Sequence, residues 1–186
     1  LRPFPAVLPW FRIAALLHDL GKPEADGTDV PHAVPGAAIA RRILSRLRYP
    51  TSLRREVVAI VAGHAFWLDD WLDGDNPRAT RRFLAAHGDR LARQLVALKR
   101  ADLVVKRVDA VELEALGRLE RGLDAEAGSP HRLADLAVTG SDLIDEGFAE
   151  GPELGRVLRL LLDEVVDDPG RNTRETLLAR ARAELG

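Results

Sequence analysis

The sequence predicts an all-α protein. Three observations carry that reading: apolar residues recur at helical spacing along most of the chain, no stretch alternates polar and apolar residues as a strand does, and Gly, Pro and Asn-Pro punctuation falls about one helix length apart. The 186 residues, 46% hydrophobic and 30% charged, are enough for a real core. Cysteine is absent, which excludes disulfides and thiolate metal sites. No apolar run approaches the roughly 20 residues of a membrane span and no signal-peptide pattern opens the chain, so a cytoplasmic protein with no membrane partner is expected. A formal charge of −2 argues against a protein that coats nucleic acid, but allows a local basic patch. Methionine is also absent and the first residue is Leu1, which points to a piece of a longer protein.

Leu1 to Pro9, with three prolines, reads as an extended lead-in. A first helix is expected over 10–20, closed by Gly21, and a polar loop over 24–31. Pro35 suits the first helical position, N1, of a second helix reaching 48, with Ile43, Leu44 and Leu47 as its apolar stripe. Thr51 or Ser52 can cap a third helix through 65, carrying Val57, Ile60, Val61 and His64 on one face. Asp75-Asn76-Pro77 signals a fourth, which ends at His87-Gly88. Asp89 then opens a long helix with Leu91, Leu95, Leu98 and Asp102 in register. Another is expected over 109–127, broken by Gly128-Ser129-Pro130. Short helices over 130–137 and 141–147 follow. Gly151-Pro152 starts a longer one with Leu154, Val157, Leu158, Leu161 and Val165 inward. Asn172-Thr173-Arg174-Glu175 has the form of a capping box, with Asn at its head, and opens a last helix to 185. The glycine-studded region 128–140 divides a helical domain, 1–128, from a small helical C-terminal region, 129–186.

Three ionisable residues occupy helix positions that ought to be apolar. His18 stacks over Ala14, Ala15 and Phe11; His64 over Ile60, Val61 and Val57; Asp102 over Leu98 and Leu95. A carboxylate buried without a partner costs several kcal/mol, so Asp102 needs a cation or donors close by. Two imidazoles and a carboxylate from three helices are reasonable ligands for a divalent metal, with Asp19 adjacent to one of them. The ordinary alternative is a pair of hydrogen-bonded core histidines and an Asp–Arg ion pair. His32, ahead of Pro35-Gly36, can ligate a second metal or meet a phosphate, or be an exposed loop residue. Lys22 follows a helix end, free to reach an anionic substrate or simply solvated. His87 is explained by the dipole of a helix C-terminus, and His131 by surface placement. Trp67 and Trp71 can line a pocket mouth, or pack under the helix that follows Pro77.

The run Leu16-Leu17-His18-Asp19-Leu20-Gly21-Lys22-Pro23 resembles the signature of HD-domain metal-dependent phosphohydrolases. More narrowly, His32 ahead of Pro35-Gly36-Ala37, His64 ending an apolar helix, and Ala101-Asp102 resemble the HD region of bacterial CCA-adding enzymes, the tRNA nucleotidyltransferase and poly(A) polymerase family. The tail is similar too, in Gly140-Ser141-Asp142-Leu143, Gly151-Pro152-Glu153-Leu154-Gly155, and Asn172 before a final helix. The resemblance implies an HD-type helical bundle followed by a tail that contacts RNA. It implies His18, Asp19 and Asp102 as ligands of a divalent ion (Mg, Mn, Ni, Co or Zn), with His64 and His32 as second-site ligands or substrate contacts. Asp19 and Lys22 would serve catalysis.

The implied reaction is hydrolysis of a phosphoester such as a 2′,3′-cyclic phosphate or a 2′-nucleotide. The implied partners are tRNA or an RNA-derived nucleotide, and an upstream nucleotidyltransferase domain in the parent protein. Two features depart from the family pattern. It has a further histidine well upstream of the HD pair, and the 17 residues before His18 contain none. The nucleotidyltransferase head is also absent, so nucleotide addition is not expected of this chain. The alternative is a non-catalytic tRNA-binding module with an incomplete, vestigial HD site. Its arginine bias, 24 Arg to 3 Lys, suits phosphate contacts, although a GC-rich genome produces the same bias.

Overall fold

The computed structural model describes residues 9–25, 31–107 and 110–185. Residues 1–8 of the lead-in expected over 1–9, and most of the loop expected over 24–31, lie outside them. All regular structure among the described residues is helical, as expected.

Helix α1 spans Pro9–Leu17, ending three residues before the spacing predicts. The His18 ring bonds the Ala15 carbonyl through Nδ1 at 2.7 Å, occupying one of the carbonyls a helix end leaves open. The chain then turns through Gly21 into a single helical turn, α2 (Lys22–Ala25), where a loop was expected. Helix α3 runs over Ala33–Arg46, with His32 at its N-cap position, so Pro35 sits two residues inside the helix rather than opening it. Its buried stripe is Ala33, Gly36, Ala40 and Leu44, while the expected member Leu47 is 58% exposed. The small residues explain the difference, because they let α3 lie close along α4: a Cβ at Gly36 would stand 3.5 Å from Val61 Cγ1. Arg48 ends the connection in a left-handed conformation, φ 56°.

Helix α4 covers Thr51–Gly63. Pro50 takes the N-cap position, so neither Thr51 nor Ser52 caps it; the Thr51 hydroxyl instead accepts from Arg54 at 2.9 Å. Val57, Ile60 and Val61 are fully buried, and His64 follows immediately past the helix end. Trp71, in a 3-10 turn over Asp69–Trp71, is buried. Trp67 is 82% exposed, which removes the expectation that it packs beneath a helix.

Helix α5 spans Pro77–Lys106 but breaks at Gly88 (φ 71°, ψ 157°), as the His87-Gly88-Asp89 signal predicts. Its start is fixed by Asn76, whose side-chain oxygen accepts the Ala79 N–H at 3.0 Å. Helices α6 (Ala110–Ala125), α7 (Gly140–Asp145), α8 (Pro152–Asp167) and α9 (Arg174–Arg182) follow. The helix expected over 130–137 reduces to a 3-10 turn at Leu133–Asp135. Here the Asp135 carboxylate accepts the N–H groups of His131 and Arg132, and Asn172 accepts that of Ala137, leaving no helix ladder to extend. Asn172 is therefore not the cap of α9. That role belongs to Thr173, whose hydroxyl accepts the Thr176 N–H.

The described chain gathers into two compact units. One comprises the residues up to Leu72 with Arg90–Leu116; the other comprises Asp73–Asp89 with residues 117–185. This division does not follow the expected line at 128. In the second unit Arg81, on α5, donates to the Val166 carbonyl at 2.7 Å and the Asp167 carbonyl at 3.0 Å, and pairs with Glu126, just past the end of α6. These bonds tie the start of α5 and the end of α6 to α8. The core of that unit is built from α7, α8 and α9 around Leu143, Val157, Leu161, Val165 and Leu177. No described helix is long and apolar enough to cross a membrane.

Candidate metal centre

The site forms where two glycines let backbone meet backbone. A Cβ at Gly21 would lie 2.0 Å from the His32 carbonyl oxygen and 2.5 Å from the Gly36 nitrogen. Only hydrogen fits there. The turn carrying His18 and Asp19 thus presses on the first turn of α3 and brings His32 beside it. His64 enters from the end of α4, and Asp102 from the second half of α5. All five candidate ligands line one cavity of about 110 Å³, together with Lys22, Lys99 and Lys106.

The histidines are oriented by their own helices. His18 Nδ1 and His64 Nδ1 each lie 2.7 Å from a backbone carbonyl, of Ala15 and Val61 respectively. A carbonyl only accepts, so both Nδ1 atoms carry a proton, and Nε2 is the ring atom that each histidine presents to the cavity. His18 Nε2 is buried and has no hydrogen-bond partner. It lies 3.4 Å from Asp19 Oδ2 and 3.9 Å from Asp102 Oδ1. His64 Nε2 lies 3.8 Å from Asp19 Oδ1 and 3.0 Å from His32 Nε2. One ligand atom from each of His18, Asp19 and His64 falls within a 4.8 Å span.

An orphaned buried nitrogen costs about 1–3 kcal/mol. It is relieved at once by a cation held between it and the carboxylates, and the backbone bonds at Nδ1 are the outer contacts that metal-binding histidines commonly make. The donor set, imidazole nitrogen and carboxylate oxygen without thiolate, suits a divalent transition ion or Mg. The residues fit the group.

Burial pushes the Asp19 carboxyl up, but the Lys22 hydrogen bond and the charges of His18, Lys22 and Lys106 outweigh it and hold it below the usual carboxylate range. Burial, with His18 and His32 close by, pushes His64 below the ordinary imidazole value, which keeps its lone pair available. Lys22 Nζ bonds Asp19 Oδ2 at 2.5 Å, so it is not simply solvated. Asp102 finds its cation in Lys106, at 2.7 Å, not in an arginine.

Lys99 and Lys106 were missed from the sequence, although their signal was present. Positions 99, 102 and 106 share a face of α5 at helical spacing, and these two and Lys22 are the chain's complete lysine complement. The other two histidines correct the sequence reading. His131 is buried, not on the surface, with Nδ1 on the Ser129 carbonyl at 2.7 Å and Nε2 on Asp89 at 3.1 Å. His87 packs edge-on to Phe83, and burial lowers its pKa, which disfavours the charged form that a helix dipole would stabilise.

Known proteins place this geometry in a family. The HD-domain profile matches residues 9–113, the span that contains every candidate ligand. The chain belongs to the HD-domain family. A second profile, tRNA nucleotidyltransferase domain 2, matches residues 123–181. The CC-adding tRNA nucleotidyltransferase of Thermus thermophilus is 35% identical over 162 residues, covering 82% of this chain and 35% of that protein. Ribonuclease Y of Chloroflexus aurantiacus is 27% identical over 176 residues, covering 92% of this chain and 30% of that protein. The chain therefore spans about a third of the length of these curated relatives. No solved structure matches it. The HD resemblance read from His18-Asp19 and the tail resemblance read from 140–172 both stand.

Proposed function

We propose that this chain is an HD-type, metal-dependent phosphohydrolase module of a tRNA-maturation protein, acting in the cytoplasm on phosphoesters derived from RNA. The observation that carries the reading is His18 Nε2, buried, unpartnered and set between two carboxylates. His18, Asp19 and Asp102 would hold the ion. His64 would complete the shell in place of the upstream histidine of the family pattern, since its Nε2 faces Asp19 Oδ1. A divalent ion bound there supplies polarisation of a phosphoryl oxygen and acidification of a water. Asp19, held ionised, would orient that water through its free lone pairs. His32 would meet the substrate at the cavity edge, and Lys22 would face its phosphate. Both relatives are named for work on RNA, one adding to tRNA and one a ribonuclease, which supports an RNA-derived substrate.

The test is metal analysis of the purified chain with an assay on 2′,3′-cyclic nucleotides. Metal uptake and hydrolysis, both lost in Asp102→Ala, are expected. A folded chain that takes up no Mn, Ni, Co, Zn or Mg overturns the reading.

A second reading, a tRNA-binding module whose HD site is vestigial, is favoured by one particular surface. Residues 31–55 contain six arginines and no acidic residue. Arg41, Arg54 and Arg55 line a cleft of about 510 Å³ beside α3 and α4, and Arg54 Nε is buried without a partner. No described acidic side chain pairs with these residues. Most of the tail's arginines are instead ion-paired, among them Arg156 with Glu153 and Glu184, Arg174 with Asp142, and Arg182 with Glu146. This favours α3 and α4, over the region 129–186, as the surface for an RNA backbone. The 1–128 and 129–186 domains remain our assignment, with a nucleotidyltransferase domain elsewhere in the parent protein. Filter binding to tRNA separates the two readings: affinity without hydrolysis, weakening with salt, supports the second.

A further inference from the structure

The chain's 27 basic residues include 3 lysines, and Lys22, Lys99 and Lys106 all line the HD cavity, while no arginine does. Chance placement of lysines among so many arginines rarely produces this. Genome composition cannot explain it either, because a bias toward arginine acts equally on every basic position. The cavity calls for ammonium groups.

Their geometry gives the reason. Lys22 sits on Asp19 Oδ2 and Lys106 on Asp102 Oδ2, at 2.5 and 2.7 Å. The same carboxylates face the histidines: Asp19 lies 3.4 Å from His18 Nε2 through Oδ2 and 3.5 Å from His32 Nε2 through Oδ1, and Asp102 Oδ1 lies 3.9 Å from His18 Nε2. Each ammonium therefore occupies a carboxylate that the metal site needs: at Asp19 it holds the oxygen that lies 3.4 Å from His18 Nε2, and at Asp102 the oxygen beside the one that faces His18. An arginine would grip both oxygens in a fork and keep them. A lysine makes one point contact on a flexible stem and can let go. Lys99 approaches from the same face of α5, donating one hydrogen bond to the Phe66 carbonyl at 2.9 Å and keeping its other two donors free of that bond. The cavity, about 110 Å³, is well below the roughly 300–1,000 Å³ that encloses a whole small molecule. It admits a phosphate end and leaves the nucleoside outside.

We propose that Lys22, Lys99 and Lys106 form a phosphate cradle for a terminal or cyclic phosphate of RNA, and that Lys22 and Lys106 exchange their carboxylate partners for that phosphate when a divalent cation binds. This rests on the proposed metal site. Before cation binding the two ammonium groups compete with it for Asp19 and Asp102; afterwards they balance the charge of the incoming phosphate.

The test uses the full chain, Mn²⁺ and inorganic phosphate, with both affinities read by titration calorimetry. Lys22→Met and Lys106→Met, at half-exposed positions, are expected to bind Mn²⁺ about 3–10-fold more tightly and phosphate at least about 10-fold more weakly in the Mn²⁺-loaded protein. Lys22→Arg and Lys106→Arg are expected to weaken Mn²⁺ binding. Lys99→Met should weaken phosphate binding alone. A merely structural role moves neither affinity in these directions. Met variants with unchanged or weaker Mn²⁺ binding and intact phosphate binding overturn the proposal. If the parent chain binds no Mn²⁺, the metal reading fails by itself. The cradle is then judged on phosphate binding to the metal-free chain: loss in the Met variants supports it, and no binding, or no loss, overturns it.

Discussion

His32 Nε2 stands 3.0 Å from His64 Nε2 across 32 residues of sequence, and only one of the two atoms can carry a proton in that contact. His64 already spends its ring proton on the Val61 carbonyl, so in the neutral pair His32 donates. His64 keeps a lone pair that a cation can claim, and His32 becomes the partner displaced when it does. The contact exists because Gly21 and Gly36 let their backbones touch.

That close approach makes Gly21 the sharpest test of the site's architecture. Gly21→Ala forces a methyl group to within 2.0 Å of the His32 carbonyl, a backbone atom that cannot swing aside. We expect a loss of about 1–3 kcal/mol in urea unfolding, together with a loss of metal-induced stabilisation. A variant as stable as the parent would show that the turn and α3 do not meet as described.

Divalent metal should stabilise the first unit. At about 100 times the dissociation constant the gain is roughly 2.7 kcal/mol, or a rise of roughly 5–10 °C in Tm for a chain of this size. His18→Ala should abolish the rise and EDTA should reverse it, as read by circular dichroism. A rise that persists in His18→Ala would place the ion elsewhere.

In the second unit, Asn172 bridges two backbone groups, accepting from Ala137 and donating to the Asp135 carbonyl, at 2.8 and 2.9 Å. Asn172→Ala should cost about 2 kcal/mol, more than the roughly 1 kcal/mol expected for removing the α9 cap with Thr173→Ala. The reverse order of destabilisation would restore Asn172 to the role of a simple cap.

Acid should act partly through Asp135. The Arg132 guanidinium, and then the N–H groups of His131 and Arg132, outweigh burial and hold its carboxyl at about 2. The folded value lies below the unfolded one, so the stabilisation is complete above about pH 4 and disappears as pH falls through about 2. Asp135→Asn should cost on the order of 1 kcal/mol at pH 6 and progressively less toward pH 2.5. A parent-to-variant gap that stays constant across that range rules this out.

The basic face of α3 and α4 yields a salt-dependent prediction. Replacing Arg41, Arg54 and Arg55 by Ala should weaken tRNA binding and reduce the slope of log K against log salt by about one per lost phosphate contact. Replacing the ion-paired Arg174 and Arg182 should leave the slope unchanged. The opposite pattern would return RNA contact to the tail.

Local chemistry was readable in the sequence wherever it is set by neighbours along the chain. The Asn76-Pro77 start, the Gly88 break and the inward faces of α4 and α8 depend on backbone preference and helical period alone, and each stands as read. His18, Asp19, His64 and Asp102 were legible for the same reason, as ionisable groups at apolar helix positions. Tertiary structure decided what those groups meet. His18 ends α1 early because its ring takes the Ala15 carbonyl, and Asn172 leaves the α9 cap for two backbone groups in another segment. His131 is buried because Ser129 and Asp89 satisfy both its nitrogens. Lys22, Lys99 and Lys106 come together only when the α1–α2 turn faces α5. Helix propensity is a property of a few consecutive residues. The partner that relieves a buried nitrogen or carboxylate is chosen by packing between segments far apart in the chain, which spacing along one helix does not encode.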